Sequence, residues 1–169
     1  MAEQKSDSWK IIPVAFYFRV TFTIDGSSHQ CPFTSVEGLG QTLDYKTQAQ
    51  QGDNVVWLPE KVTHTDITLK RALRTAPDAV NQWIKDCFDF QTTGKLTPCE
   101  LRIDLLNNKE QTEDEIKAKK EAELIVLASW TCSNVVPKSW AIDMLNAQES
   151  KVLIQTLVLK HSRIEQSCR

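Results

Sequence analysis

Strict alternation of apolar and polar residues near the start of the chain is the feature that most restricts its fold. The apolar positions are Phe16, Phe18, Val20, Phe22 and Ile24, and Tyr17, Arg19, Thr21 and Thr23 lie between them. A period of two over nine residues predicts a β-strand with one face in the core. The face that carries Arg19 and the threonines is expected to be wet or to lie at an interface.

Further strand-like segments follow, separated by residues typical of turns. Residues 25–28 predict a turn, since they read Asp-Gly-Ser-Ser. Residues 124–131 are apolar on both faces apart from Ser129, which predicts a central strand covered on both sides. The other predicted strands are 33–37, 43–49 (a weaker candidate), 63–71, 101–105 and 152–161. Many strands with turn-rich linkers indicate a β-sandwich or a barrel.

One helix interrupts the strands. Its apolar stripe consists of Val80, Trp83, Ile84, Cys87 and Phe88, at helical spacing. Pro77 suits the first helical position, Asp78 suits the positive end of the helix dipole, and Gly94 lies just beyond the end. We expect this helix to cover an open face or end of the β structure. Trp83 and Phe88 are interpreted as core residues, with a ligand-stacking pair as the alternative.

Residues 45–59 form a long excursion between two predicted strands. It is read as a polar loop around Gln51-Gly52-Asp53-Asn54, followed by Val55, Val56 and Trp57. A loop of this length inside a compact domain usually carries function. We therefore expect function to lie in surfaces that extend and dock.

Residues 107–123 are highly charged and read as a helical insertion between two strands. Thr112 and Glu115 have the spacing of a capping box, and Glu113–Lys117 and Glu115–Lys119 are favourable i,i+4 pairs. Two interpretations stay open: a solvated surface excursion, or a contact with a specific partner. In the second, the contact residues are Glu113, Glu115, Ile116 and Lys119.

Composition limits the class of protein. The 169 residues, 41% of them hydrophobic, predict a single domain over 1–169 with an N-terminal arm at 1–10. A net charge of -2 gives no general attraction to nucleic acid or anionic membranes. The N-terminus lacks the apolar core of a signal peptide, and no apolar run reaches the roughly 20 residues of a membrane span. We expect synthesis in the cytoplasm and no membrane anchor.

Catalytic and metal-binding patterns are not found in the sequence. The five cysteines are odd in number and widely spaced, and the three histidines are scattered, so neither disulfides nor a zinc site is expected. The sequence contains no phosphate-binding glycine loop and no G-x-S-x-G or H-E-x-x-H motif. The prediction is a non-enzymatic protein without a cofactor.

Taken in order, the motifs resemble the tail tube protein family of contractile phages and phage-like injection systems. The chain shows FYFRVTF and FTSVEGL, then QQGDN, LPEKV and DITLKRA. A tryptophan-bearing helix follows, then VPKSW and a final strand containing QTLVL. The similarity runs from about Val14 to His161. Departures are Gln51 in the loop's usual glycine pair, Ala72 where the family has glycine, and the insertion at 107–123.

The resemblance implies a mainly β (α+β) fold: two packed antiparallel sheets forming a barrel-like sandwich with one flanking helix. It also implies a structural role, in which hexameric rings stack into a tube around a cargo channel that holds DNA or a toxin. Neighbouring rings, a sheath and a spike or hub protein are the implied partners. The particle would be a virion or an extracellular phage-tail-like particle.

The resemblance further implies that the 45–59 excursion reaches an adjacent subunit or ring. The implied interface residues are Gln51, Gly52, Asp53, Asn54, Val55, Val56 and Trp57, with a core position for Trp57 as the alternative. Two roles compete, the repeated tube subunit and a tube initiator that joins the spike hub in the baseplate to the first ring. The insertion favours the initiator. A monomeric β-barrel that binds a small apolar ligand is the alternative function.

Overall fold

The computed structural model describes residues 17–51, 54–108, 124–146, 148 and 151–168. Only the backbone is described for 47–51, 54, 55 and 108. The described elements are, in order, β1 Phe18–Ile24, β2 Ser27–Cys31, β3 Ser35–Glu37, β4 Gln41–Gln51, β5 Asn54–His64, β6 Ile67–Ala72, α1 Ala79–Phe88, α2 Phe90–Thr93, β7 Cys99–Asn108, β8 Leu124–Ile142, β9 Ile154–Lys160 and β10 Arg163–Cys168.

The long strand β8 joins two antiparallel sheets. Its first part pairs with β7 and β10, so the first sheet comprises β2, β1, β7, β8 and β10. Its last part pairs with β9, and the second sheet continues through β6 to β3. The change of partners occurs around Asn134, whose φ of 53° lies in the left-handed region that asparagine tolerates. The predicted fold class is thus confirmed, although no pairing among the described strands closes a complete barrel.

The core lies between the sheets and helix α1. In β1 the predicted alternation is confirmed, because Val20 and Phe22 are buried while Thr21 and Thr23 point to the other face. Phe16, the first residue of that pattern, lies outside the described residues. Phe22 contacts the Trp83 ring of α1, with a centroid distance of 6.0 Å. The remaining core side chains come from both sheets and the helix, and include Ile67, Leu69, Val80, Ile84, Leu101, Ile103, Cys132, Val135, Leu157 and Leu159.

Helix α1 flanks the sheets as predicted, but it begins later than expected. Asp78 is the N-cap, and its side chain accepts a hydrogen bond from the amide of Val80. Pro77 therefore precedes the helix rather than occupying its first position. The core interpretation is confirmed for Trp83, which is buried and donates from Nε1 to the Thr97 carbonyl at 2.8 Å. The core interpretation is wrong for Phe88, which is the last residue of α1 and is exposed.

Several strand boundaries differ from the predictions. The predicted strand 63–71 is divided between β5 and β6, because the amide of Thr65 turns away to bond the Gly40 carbonyl. Asp25 and Gly26 form the whole turn with positive φ angles, so Ser27 already begins β2. Residues 124–131 are central in the sheet, but only Ser129 among them is buried. Their predicted double cover is wrong because no other layer of the described chain encloses both faces.

Candidate assembly surface

Strands β4 and β5 form a long hairpin, which stands apart as a two-stranded sheet of its own. The weak strand prediction at 43–49 is confirmed and extended, whereas the polar loop predicted over 45–59 is wrong. Both arms are strands because they pair with each other along nearly their whole length, from Gln41 opposite His64 to Gln51 opposite Asn54. The hairpin makes only sparse contacts with the rest of the described domain. We call β4 and β5 together the hairpin.

One face of the hairpin is apolar. Leu43 pairs with Val62, Tyr45 with Pro59, and directly opposed residues share a face. Trp57 continues this face, and its ring contacts the Tyr45 ring edge-on at 6.4 Å. All five side chains are exposed, and Trp57 has 61% of its surface accessible. We call these residues the apolar hairpin face.

The opposite face of the hairpin is mainly polar. Asp44 pairs with Lys61, and Lys46 forms a 2.6 Å ion pair with Glu60. Glu60 is the extra residue of a β-bulge between the pairs at Tyr45 and Asp44, so the apolar alternation continues on both sides of it. The hairpin is therefore amphipathic, and its apolar side stays exposed among the described residues.

Two of the predicted interface residues have described side chains. Val56 and Trp57 lie on β5 and are 51% and 61% exposed. The core alternative for Trp57 is therefore wrong in this chain. Its neighbours on the apolar hairpin face, Tyr45 and Val62, were not predicted as site residues. Only the register between β4 and β5 shows that these residues share a face with Trp57. That register depends on the bulge and cannot be read from either strand alone.

The other predicted interface residues lie at the hairpin end. The backbones of Gln51 and Asn54 pair with each other, and Val55 continues β5. Gly52 and Asp53 lie outside the described residues. An interface role for this end of the hairpin stays a prediction.

The charged insertion lies almost entirely outside the described residues. Asn107 and Asn108 still belong to β7, and β8 begins at Leu124, so the connection comprises residues 109–123. The predicted partner-contact residues fall within that connection and are Glu113, Glu115, Ile116 and Lys119. Their helical conformation and their contacts stay predictions.

A polar network occupies the non-core face of the first sheet. Asp104 on β7 is only 2% exposed and accepts hydrogen bonds from Ser129 at 2.7 Å, Arg102 at 2.8 Å and Arg19 at 2.9 Å. Burial raises the pKa of Asp104, but the hydrogen bonds from Ser129, Arg102 and Arg19 outweigh it and hold the pKa below its ordinary value. The sequence indicated a wet or interfacial face from Arg19 and missed Asp104, because carboxylates are seldom buried.

Metal-binding clusters are absent from the described residues. No group of three or more His, Cys, Asp or Glu residues that could hold a metal occurs there. The five cysteines are free thiols; four are buried and Cys168 is exposed. Burial raises the pKa of Cys99 to about 12 and of Cys132 to about 11, so these thiols stay protonated at neutral pH. No helix in the described ranges is long and apolar enough to span a membrane.

The space between the two sheets is filled by side chains rather than open to a ligand. Phe22, Leu69, Leu101 and Leu159 are essentially inaccessible there. A surface cleft of about 690 Å³ lies instead beside α1 and the ends of β8 and β9. These features define a β protein with a filled core and an amphipathic hairpin that stands apart from its two main sheets.

The chain belongs to the T4-like virus tail tube protein gp19 family, whose model matches residues 14–165. The predicted resemblance is thereby confirmed. Members of this family are structural tube components, so the prediction of a non-enzymatic protein is confirmed as well. A comparison with curated proteins found no match.

Solved structures share the fold. A chain from the baseplate of the anti-feeding prophage (AFP) has 23% identity and a TM-score of 0.73 over 94% of this chain and 97% of its own. A chain from the PVC sheath-tube complex, an extracellular contractile injection system, has 20% identity and a TM-score of 0.72 over 100% of both chains. A chain from the AFP tube terminating cap has 25% identity and a TM-score of 0.72, again over 100% of both.

Proposed function

We propose that this chain is a ring subunit of the inner tube of a contractile tail or injection particle. In this proposal hexameric rings surround a cargo channel, and the hairpin docks on a neighbouring copy. The apolar hairpin face is the observation that carries the proposal, because it is built like one side of a core but stays exposed among the described residues. The family match and the folds of the AFP and PVC chains support the same role.

The physical chemistry of the hairpin supports docking. An isolated two-stranded hairpin is at best marginally stable in water, so covering its apolar face would stabilise it. Contiguous exposed apolar residues rimmed by charges are typical of protein interfaces, and aromatic residues such as Trp57 and Tyr45 tend to dominate their affinity. A hairpin that docks on a different surface of an identical copy makes a head-to-tail contact, which repeats around an axis until the ring closes.

The same proposal gives the polar face of the first sheet a role. A channel wall must stay hydrated and must not retain its cargo, which suits a face of hydroxyl side chains with a neutralised carboxylate. Asp104 is bonded by Arg19 and Arg102, so its charge is balanced locally. We assign this face to the channel and the hairpin to contacts between copies.

Partners follow from the same role. The neighbouring rings, a sheath and a spike or hub protein would contact the outer and end surfaces, and DNA or a toxin would occupy the channel. The similar chains come from a sheath-tube complex, a baseplate and a tube cap. We further propose synthesis in the cytoplasm and incorporation into a virion or an extracellular particle.

Between the two tube roles, the initiator is the one that we propose. Residues 109–123 connect β7 to β8 and are rich in charged side chains, and a subunit that stacks on copies of itself tolerates extra residues on its stacking faces poorly. Deleting the connection tests this. Deleted protein that still fails to stack would count against the insertion as the element that prevents stacking.

The test of the ring proposal is negative-stain electron microscopy with light-scattering mass over a range of concentrations. Six-fold rings are expected for the wild type, with stacking into tubes for a repeated subunit and unstacked rings for an initiator. Trp57→Ala is expected to weaken each contact by about 2 kcal/mol, roughly thirtyfold, and to leave mainly monomer. Phe90→Ala is the matched control, because Phe90 is an aromatic residue of similar exposure on α2. A strict monomer at every concentration contradicts the proposal.

A further inference from the structure

The hairpin is attached to the body through a tightly packed backbone junction. Gly38 has a φ of +88°, and a Cβ there would lie 2.1 Å from the Asp66 carbonyl oxygen. The amide of Thr65 donates to the Gly40 carbonyl at 3.2 Å. The two chain segments that enter and leave the hairpin therefore touch each other. We call residues 38–40 and 64–66 the hairpin root.

A pair of histidines joins this root to the far end of the second sheet. His64 is the last residue of β5, and His161 lies between β9 and β10. Their rings contact each other with a centroid distance of 5.1 Å and an interplanar angle of 50°. The two residues are far apart in sequence, so this is a tertiary contact between the hairpin root and the β9–β10 corner.

The histidine pair has little hydrogen bonding to stabilise a charge. Nδ1 of His64 and both ring nitrogens of His161 are buried without a hydrogen-bond partner among the described residues. A neutral imidazole tolerates this environment better than an imidazolium, which needs donors and counter-charges around it. The surroundings therefore favour the neutral form of His161.

The charged groups around the pair come from three neighbouring elements. Asp66 lies in the root, Lys138 on β8 and Lys160 at the end of β9. The Asp66 carboxylate already accepts a hydrogen bond from Lys138, which holds its pKa below the ordinary value. Asp66 is the carboxylate that acts on His161, and it is already engaged by Lys138, so it compensates the charge of a protonated His161 only in part.

We propose that the His64–His161 pair makes the attachment of the hairpin acid-sensitive. Near neutral pH the uncharged His161 ring packs against His64 and holds the root against the β9–β10 corner. Uptake of a proton by His161 places a charge in a buried site without a hydrogen-bond acceptor and beside the His64 imidazole, which separates the rings and releases the root. The hairpin then loses its fixed orientation while the two main sheets stay folded.

The direction of the pH dependence follows from the environment of His161. Burial lowers the pKa of His161 and His64 lowers it further, while Asp66 raises it less, so the net value lies below the ordinary 6.5. Because the pKa of His161 is lowered while the root is attached, His161 binds a proton more readily when the root is released. The attachment is therefore complete above about pH 6.5 and is lost progressively as the pH falls below it.

The consequence for assembly rests on the proposed function. If the hairpin carries the contact between copies, acid release of its root weakens the ring. The release itself is a property of the single chain and does not require that rings form.

Hydrogen–deuterium exchange by mass spectrometry tests the release directly. Exchange of peptides covering β4 and β5 is compared at pH 7.5 and 5.5, after scaling for the intrinsic rate and relative to β6 and β7. Protection of the hairpin is expected to be lost in part between pH 7.5 and 5.5, because the closed form binds a proton at His161 less readily than the released form. His161→Phe, which keeps a ring but cannot protonate, is expected to remove this loss. His29→Phe changes the remaining histidine, on β2, and is expected to keep it.

Three outcomes overturn the inference. The first is hairpin exchange that does not change between the two pH values in the wild type. The second is an equal loss of protection in His161→Phe. The third is a stabilisation by Zn²⁺ at pH 7.5 that disappears in His161→Phe, which would assign the pair to metal binding.

A measurement on the wild type covers the case in which the His161→Phe variant does not fold. The His161 imidazole and the hairpin amides are followed together by NMR from pH 7.5 to 5. Coincident midpoints below 6.5 support the inference, and a hairpin midpoint near that of ordinary carboxylates overturns it. Light scattering separates the two proposals. Absence of rings at every pH contradicts the proposed function alone. Rings that form while hairpin exchange stays the same at every pH contradict this inference alone.

Discussion

Replacement of Arg71 by methionine should cost this protein a large part of its stability. Arg71 is on β6 and is only 3% exposed. Its guanidinium donates to Asp78 at 2.6 Å, to Asn81 at 2.7 Å and to Gln155 at 3.1 Å. The same group lies over the ring of Phe33, 5.3 Å from its centroid. One side chain thereby joins the second sheet to the start of helix α1.

The expected loss is about 3–5 kcal/mol of unfolding free energy. Methionine fills a similar volume but leaves the Asp78 carboxylate, whose side chain is only 10% exposed, without its partner, and breaking a largely buried ion pair in this way costs about that much. Asp78 is also the N-cap of α1, so its displacement weakens the helix start. Domains of ordinary stability have only about 5–15 kcal/mol in total, and the midpoint of thermal unfolding should fall by roughly 6–20 °C.

Urea unfolding followed by circular dichroism measures this loss, with calorimetry as a second observation. Two controls separate the causes. Arg71→Lys keeps a charge near Asp78 without the planar fork and should lose about half as much. Asp78→Asn keeps an effective N-cap residue but removes the ion pair. A loss below about 1 kcal/mol for Arg71→Met would refute the view that this network holds α1 on the second sheet.

Three further predictions concern single positions. Gly38→Ala should lower the free energy of unfolding by at least about 2 kcal/mol in urea, because its Cβ would meet the Asp66 carbonyl. Gly26→Ala has the same sign of φ but open space around the Cβ, so it should cost about 1 kcal/mol. Equal losses in the two variants would contradict this prediction. The stability that Asp104 contributes is present above its ordinary pKa of 3.8 and is lost as the pH falls below it, so Asp104→Asn should unfold with a weaker acid dependence between pH 5 and 2. A thiol reagent followed by mass spectrometry should label Cys168 first in the native protein, and early labelling of Cys99 would contradict its burial.

The mainly β class of the fold was predictable because local alternation encodes it. The period of two in β1 and the helical stripe of α1 depend on residues that are neighbours in sequence or on one face of one element. The family resemblance was predictable for the same reason, since its motifs are short and follow one another in order. Position-by-position burial of Val20, Phe22 and Trp83 followed from these patterns.

The candidate site was only partly predictable. Trp57 was identified as an apolar anchor, but the excursion around it was interpreted as a loop because its residues are polar and only weakly favour strands. Pairing between β4 and β5 overrides that weak local preference, and the register across the bulge at Glu60 decides that Tyr45, Trp57 and Val62 share a face. No single strand contains that information.

The sequence alone determined the strands with a clear alternation such as β1, the position of α1 and the family to which the chain belongs, because these depend on local periodicity and ordered motifs. The tertiary structure alone decided the buried contacts between distant residues: Arg71 with Gln155, Asp104 with Ser129, and His64 with His161. Each of these contacts joins residues from different strands or corners, and their chemistry depends on burial and orientation. The free energy of such contacts arises only when the whole chain has folded, so no local pattern could show them.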